Sequence, residues 1–282
     1  MDSRTRTTLI YVPPNLPRGA PLVLALHGSE SEPAHMRDAT GYELERLADQ
    51  HGFAVAYPAG IGGAWNDCRR VAPFEAKRLN IDDVGFLKGV IDMMHISHGI
   101  ARDRVYALGF SNGAQMVFRM MLCTPDALAG AATFGGNLPE DANMMCPKEG
   151  PTPPIMLVSG TADPIVPFGG GDASLFGLAS RGIVLSAEET FATFAGLNGL
   201  DPADATTETL PHRHADDPTR VHVRAIAKGG RPYVVLYTVD GGGHVVPQPK
   251  VPMPRMLGAV TGDLNGPAAA IDFFLYADAK AA

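Results

Sequence analysis

Residues 105–116 read VYALGFSNGAQM: an apolar run ends in a serine with a glycine two residues away on either side, and a helical pattern starts at once. A serine at an ordinary turn needs no such framing. Small residues at Gly109 and Gly113 imply a backbone that turns too sharply, and passes its neighbours too closely, for larger side chains. With a strand before it and a helix after it, Gly109-Phe110-Ser111-Asn112-Gly113 has the form of a nucleophile elbow. In that turn a serine is held in a strained conformation at the carboxyl end of a sheet strand. The start of the following helix adds partial positive charge and free N–H groups.

Outward from the elbow, short apolar runs alternate with longer amphipathic ones. TTLIYVP (7–13) alternates like an edge strand, whereas PLVLALHG (21–28) and FAVAYP (53–58) are continuously apolar, as strands buried on both faces are. Between them the spacing predicts one helix over 36–51, stopped by Gly52. A second helix is predicted from about 83 to 98, capped by Asn80 or Asp82. After the elbow helix, AGAATFGG and PIMLVSGTAD read as strands, 187–199 as a helix, YVVLYTVD (233–240) as the last clear strand and 267–279 as a closing helix. Residues 164–182, rich in Gly, Pro and Phe, read as an insertion over a site. Strands alternating with helices predict an α/β protein whose mostly parallel sheet is covered on both faces. A single domain over 1–282 is expected.

Composition narrows the partners. The chain has 282 residues, 45% of them apolar, and a net charge of −7 with no block of Lys or Arg. Nucleic acid and anionic membrane surfaces are therefore not expected partners. No stretch approaches the roughly 18 apolar residues of a membrane span, and the N-terminus has no apolar leader core. A cytoplasmic location is expected on that basis, with secretion the alternative if a leader precedes this sequence. Cys68, Cys123 and Cys146 form no C-x-x-C pair and suggest neither a zinc site nor a disulfide scaffold, although one pair could bridge in an exported protein.

A serine hydroxyl is a poor nucleophile until a base takes its proton. Of nine histidines, His35, His51, His95 and His98 lie on or beside helices upstream of the elbow. His212 and His214 fall in a polar loop, PHRHADDP, whose only neighbouring ligand candidates are Asp216 and Asp217. His244 differs: it follows the last strand in VDGGGHVVP, where three glycines form a flexible loop that places an imidazole over the sheet edge, downstream of the serine. The third member must be a carboxylate able to accept from the imidazole and fix its tautomer. Asp163, directly after the strand IMLVSG, is preferred over Asp240, which closes a strand four residues before His244. An oxyanion hole is expected from the amide of Asn112 and from that of Ser29, with Gly28 next in line. His27 is expected to brace that loop.

The series LALHGS, GFAVAYPAG, WND, IDDVGFLKGVID, GFSNGAQM, GTADPIVPF and GGGHVVP resembles, in this order and over about residues 7–276, the α/β-hydrolase esterases of the polyhydroxybutyrate depolymerase/feruloyl esterase group. The resemblance implies an α/β-hydrolase fold with little or no lid and a Ser111–Asp163–His244 triad. It also implies a small or polymeric ester as substrate, such as a hydroxycinnamate or hydroxyalkanoate, and no metal or organic cofactor. Many relatives have cysteine where this chain has Ser29, and tryptophan just after the histidine where it has Val245 and Val246. Gly28, Trp65 and Val246 are the candidate substrate contacts, Trp65 either stacking on substrate or packing in the core. The rival readings are a peptidase or lactone hydrolase on the same fold, and a non-catalytic binding module.

Overall fold

The computed structural model describes residues 4–279. A nine-stranded sheet runs in the order β1 (Thr8–Tyr11), β3 (Ala54–Pro58), β2 (Leu22–Leu26), β4 (Val105–Phe110), β5 (Gly130–Phe134), β6 (Ile155–Gly160), β11 (Arg231–Asp240), β10 (Arg220–Lys228), β9 (Thr206–Thr209). The strands from β3 to β11 are parallel, while β1, β10 and β9 pair antiparallel at the edges. The middle strands are apolar at every position because helices cover both faces. Leu22, Leu24 and Leu26 of β2 join one core with α4 (Asp83–His98), α5 (Asn112–Cys123) and α6 (Ala187–Leu197). Val23 and Ala25 join the other, with α1 (Pro33–Ala39), α2 (Glu43–His51) and α7 (Gly266–Ala279). Each such side chain contributes about 1.5–3 kcal/mol by leaving water, so this strand cannot slip by one residue without exchanging two cores.

Local chemistry fixes the helix ends. Asp82 accepts from the amide of Gly85 and caps α4, and Ser186 with Glu189 forms a full capping box on α6. A one-turn helix, α3 (Glu75–Arg78), precedes α4. The single helix expected over 36–51 is two. Gly41 and Tyr42 both adopt left-handed φ, +62° and +57°, and break it. A Cβ at Gly41 would lie 2.3 Å from Gln248 Oε1, so the chain turns there to admit a side chain 207 residues away in sequence. Residues 164–182 form, with their neighbours, a hairpin of β7 (Gly171–Leu175) and β8 (Leu178–Val184), separate from the main sheet. Strands β9 and β10 were not expected. In β10 the half-buried pattern is nonetheless present, Arg220, His222 and Arg224 alternating with the buried Val221 and Val223.

The sequence left open whether one cysteine pair bridges, and the structure pairs two of the three. Cys68 and Cys146 are disulfide-bonded, with Cα atoms 5.2 Å apart, and Cys123 is free and exposed. Their separation of 78 residues hides a pairing that the tertiary path creates, with the amide of Met145 donating to the carbonyl of Cys68. Among the described residues, no helix is long and apolar enough to cross a membrane.

Candidate active site

The elbow explains its own glycines. Ser111 has φ +55° and ψ −116°, a conformation that costs a non-glycine residue about 1–3 kcal/mol. Its amide donates to the carbonyl of Phe134 on β5, and its carbonyl accepts from Gln115, so strand and helix hold it from both sides. A Cβ at Gly109 would lie 2.4 Å from the carbonyl oxygen of Gly113, and one at Gly113 only 2.1 Å from that of Leu26. Both obstacles are backbone, so no rotamer change relieves them. The two glycines let α5 start flush against β2 and β4, which pushes Ser111 up beside the loop after β2. A Cβ at Gly28 would be 3.4 Å from that of Ser111.

The structure brings Asp163 to His244. Asp163 Oδ2 accepts from His244 Nδ1 at 2.7 Å, both side chains being almost fully buried. Its other oxygen accepts from the amides of Ile165 and Val166, each at 2.8 Å, which fixes the carboxylate's orientation. A carboxylate on Nδ1 leaves Nε2 as the free lone pair of the neutral ring. Asp240 lies elsewhere: it is exposed and accepts from the Thr161 hydroxyl at 3.0 Å. The glycine loop before His244 is tightly packed, contrary to the flexibility expected. A Cβ at Gly243 would lie 2.0 Å from the carbonyl oxygen of Leu257, and the amide of His244 donates to that same carbonyl at 2.7 Å. The ring of Phe110 lies 4.9 Å from that of His244.

Ser111, His244, Gly28 and Ser29 share the wall of one cavity of about 510 Å³. Most of its remaining lining is apolar, including Met36, Phe110, Ile165, Leu175 and Val251. One contribution was expected, that of the insertion at 164–182, and one was not. The hairpin supplies Leu175 and Arg181, and the segment 251–257 after the histidine supplies Val251, Pro252, Met253, Pro254 and Leu257. The only sequence signal for the second was its run of prolines.

Trp65 and Val246 do not reach that cavity. Both have no solvent exposure, Val246 sharing a core with Phe134 and Phe274. Trp65 lies one layer below the site and ties its two halves together. Its indole N–H donates to the carbonyl of His27 at 2.9 Å, and its amide donates to the Asn112 side chain at 2.8 Å. The Asn112 amide group also donates to Asp67, whose carboxylate is held by the buried Arg69. His27 braces the facing loop: Nε2 accepts from Gly60, so Nδ1 carries the proton and donates to the carbonyl of Gly28 at 2.7 Å. Burial holds its pKa below the ordinary value despite that bond, which favours the neutral ring this pattern needs. The WND stretch thus positions the loops that carry the Asn112 and Ser29 amides.

Of the other histidines His35 also lines the cavity, whereas His212 stands apart from it. His212 Nδ1 pairs with Asp263 at 2.8 Å, and Asp263 also accepts from the amide of Arg213, which clamps the loop before β10 to the segment leading into α7. Among the described residues no group of three His, Cys, Asp or Glu is placed to hold a metal ion.

Residues 51–181 match the model of the Phospholipase/Carboxylesterase family. "Putative esterase NocK" of Nocardia uniformis subsp. tsuyamanensis is 32% identical over 96% of this chain and 80% of its own length. Poly(3-hydroxyalkanoate) depolymerase C of Paucimonas lemoignei is 27% identical over 84% of the chain, which spans 58% of that relative. The solved acetyl xylan esterase from Aspergillus awamori superposes with a TM-score of 0.61 at 20% identity, over 85% of this chain and 89% of its own, which speaks to the fold. Sheet order, matched family model and a relative aligned across almost the whole chain agree: the chain belongs to the α/β-hydrolase esterases and is a carboxylic ester hydrolase.

Proposed function

We propose that the chain hydrolyses carboxylic esters in two acyl-transfer steps on Ser111. His244 Nε2 takes the Ser111 proton as Oγ attacks the ester carbonyl. Asp163 holds the Nδ1–H tautomer and stabilises the imidazolium that forms. The developing oxyanion is received by the amides of Asn112 and Ser29, with Gly28 adjacent. Each such donor is worth roughly 3–4 kcal/mol in the transition state. His244 then returns its proton to the departing alcohol, and a water repeats the sequence on the acyl-enzyme. The observation that carries this reading is the buried Asp163–His244 pair at 2.7 Å, on the same cavity as a serine strained at φ +55°.

The mostly apolar cavity suits an acyl chain or aromatic ring of moderate size. With the relatives' names, that favours hydroxyalkanoate, hydroxycinnamate or related esters, as small molecules or chain ends of polymers. A panel of short nitrophenyl esters, hydroxycinnamates, hydroxybutyrate oligomers and matched amides tests the reading. Turnover of esters and not amides, lost in a folded Ser111→Ala variant, is expected. Preferential cleavage of amides would contradict it.

A further inference from the structure

The acyl-transfer steps leave one cation in the cavity unused. Arg181, on β8, is 6% exposed and lines the cavity together with Ser111, Ser29 and His244. Among the described residues, its Nε is buried with no hydrogen-bond partner, and no carboxylate comes within ion-pair distance of the guanidinium. Arg69, the other buried arginine among the described residues, is bound by Asp67, and the part-buried Arg6 meets Asp83 at 2.7 Å; Arg119 and Arg231, which do not line the cavity, also leave a buried Nε without a partner. The Arg181 guanidinium is held in place by the ring of Phe74, 5.3 Å from its Cζ, with Arg69 at 5.5 Å from the same ring. Burial, with Arg69 alongside, lowers its pKa, yet an arginine stays protonated in a protein. A buried cation with no partner is strongly unfavourable unless a counter-ion arrives.

We propose that Arg181 binds a carboxylate of the substrate, so that the preferred substrates are esters that also carry a free carboxylate, such as half-esters of dicarboxylic acids or acylated hydroxy acids. The inference rests on the esterase reading above and adds the substrate's charge. A guanidinium matches a carboxylate with two parallel N–H···O bonds, and a desolvated pair of this kind is among the stronger polar contacts. Two other carboxylates line the cavity. Asp38 accepts from the Tyr42 hydroxyl, and Glu30 is exposed at the mouth, where it attracts Arg181 only at longer range. Both would repel an anion that lacked a cation to meet, and Arg181 is the one lysine or arginine in the cavity's lining.

Matched pairs test this: the 4-nitrophenyl half-ester of glutarate against 4-nitrophenyl pentanoate, and 3-acetoxybutyrate against its methyl ester. In at least one pair the carboxylate member should show a kcat/KM about tenfold or more above its neutral partner. Arg181→Met should cut that ratio by about tenfold, Arg181→Lys less, and Glu30→Gln should raise it. Arg181→Met should melt no lower than the parent, because it removes an unpaired buried charge. Should it fail to fold, the parent ratio and Arg181→Lys carry the test. No preference for the carboxylate in either pair, or a ratio that Arg181→Met leaves in place, would overturn the proposal. Neutral esters hydrolysed through Ser111 without that preference would leave the esterase reading standing. No turnover of any ester would overturn both.

Discussion

Replacing Asp163 by asparagine separates orientation of the imidazole from stability of the fold. The amide keeps an oxygen where Asp163 Oδ1 accepts from Ile165 and Val166, so that loop holds. Its NH₂ group then faces His244 Nδ1, the protonated nitrogen that lies 2.7 Å from the carboxylate oxygen in the parent. The ring must take the other tautomer, which puts the proton on Nε2 and removes the lone pair that Ser111 needs. kcat should fall by about 10⁴, the size of that effect in a comparable buried triad, with stability changed by less than about 1 kcal/mol. Asp163→Ala also strands two buried amides at about 1–3 kcal/mol each, so it should lose the same activity and about 6 °C or more in Tm. Asp240→Asn touches only an exposed bond to Thr161 and should keep activity within a few-fold and Tm within about 2 °C. Steady-state rates on a nitrophenyl ester beside melting curves for all three decide the matter. An active Asp163→Asn enzyme next to a crippled Asp240→Asn enzyme would refute the reasoning.

Gly113→Ala places a Cβ 2.1 Å from a main-chain oxygen on β2, so urea titration should show a loss of about 3 kcal/mol or more, and a loss below about 1 kcal/mol would contradict that packing. Reducing the Cys68–Cys146 bond, or replacing both cysteines by serine, opens a loop of 78 residues and should cost about 4 kcal/mol, read as a lower Tm in reductant. Glu43 is pulled up by burial, but hydrogen bonds from Arg46, Lys250 and Asn265 outweigh this and hold its pKa down at about 2 against an ordinary 4.5. A lowered carboxylate pKa adds stability in full above about pH 4.5, and that stability is lost as the pH falls towards 2. Glu43→Gln should therefore lower stability by about 2 kcal/mol at pH 7, and its deficit should shrink across that acid window when unfolding is followed against pH.

Where the physics is local, the sequence is a good guide to this molecule. Ser111 between its glycines, the continuous apolar strands β2, β3 and β6, and a carboxylate directly after a strand each carry their signal within about ten residues. What escaped depends on residues distant in the chain. The break at Gly41 answers Gln248, and the cystine closes over 78 residues. Val246 reads as a pocket residue and Trp65 as either a stacking or a core residue, because both lie beside the motifs that carry the chemistry; tertiary packing turns both inward. The stretch 164–182 reads as an insertion over a site, but nothing in it singles out the Arg181 side chain as a cavity residue. The preference for Asp163 over Asp240 rests in one dimension on position after a strand; in space Asp163 meets the imidazole and Asp240 bonds Thr161.

Covalent trapping tests the central claim most directly. The protein is incubated with a nitrophenyl phosphonate, which a serine activated by a His–Asp pair attacks as it would an ester, and is then weighed intact and mapped by peptide mass spectrometry. The account predicts one adduct per chain, on Ser111, abolished in Ser111→Ala and strongly slowed in His244→Ala. A folded, ester-hydrolysing protein that takes up no phosphonate, or takes it up at another residue, would contradict it.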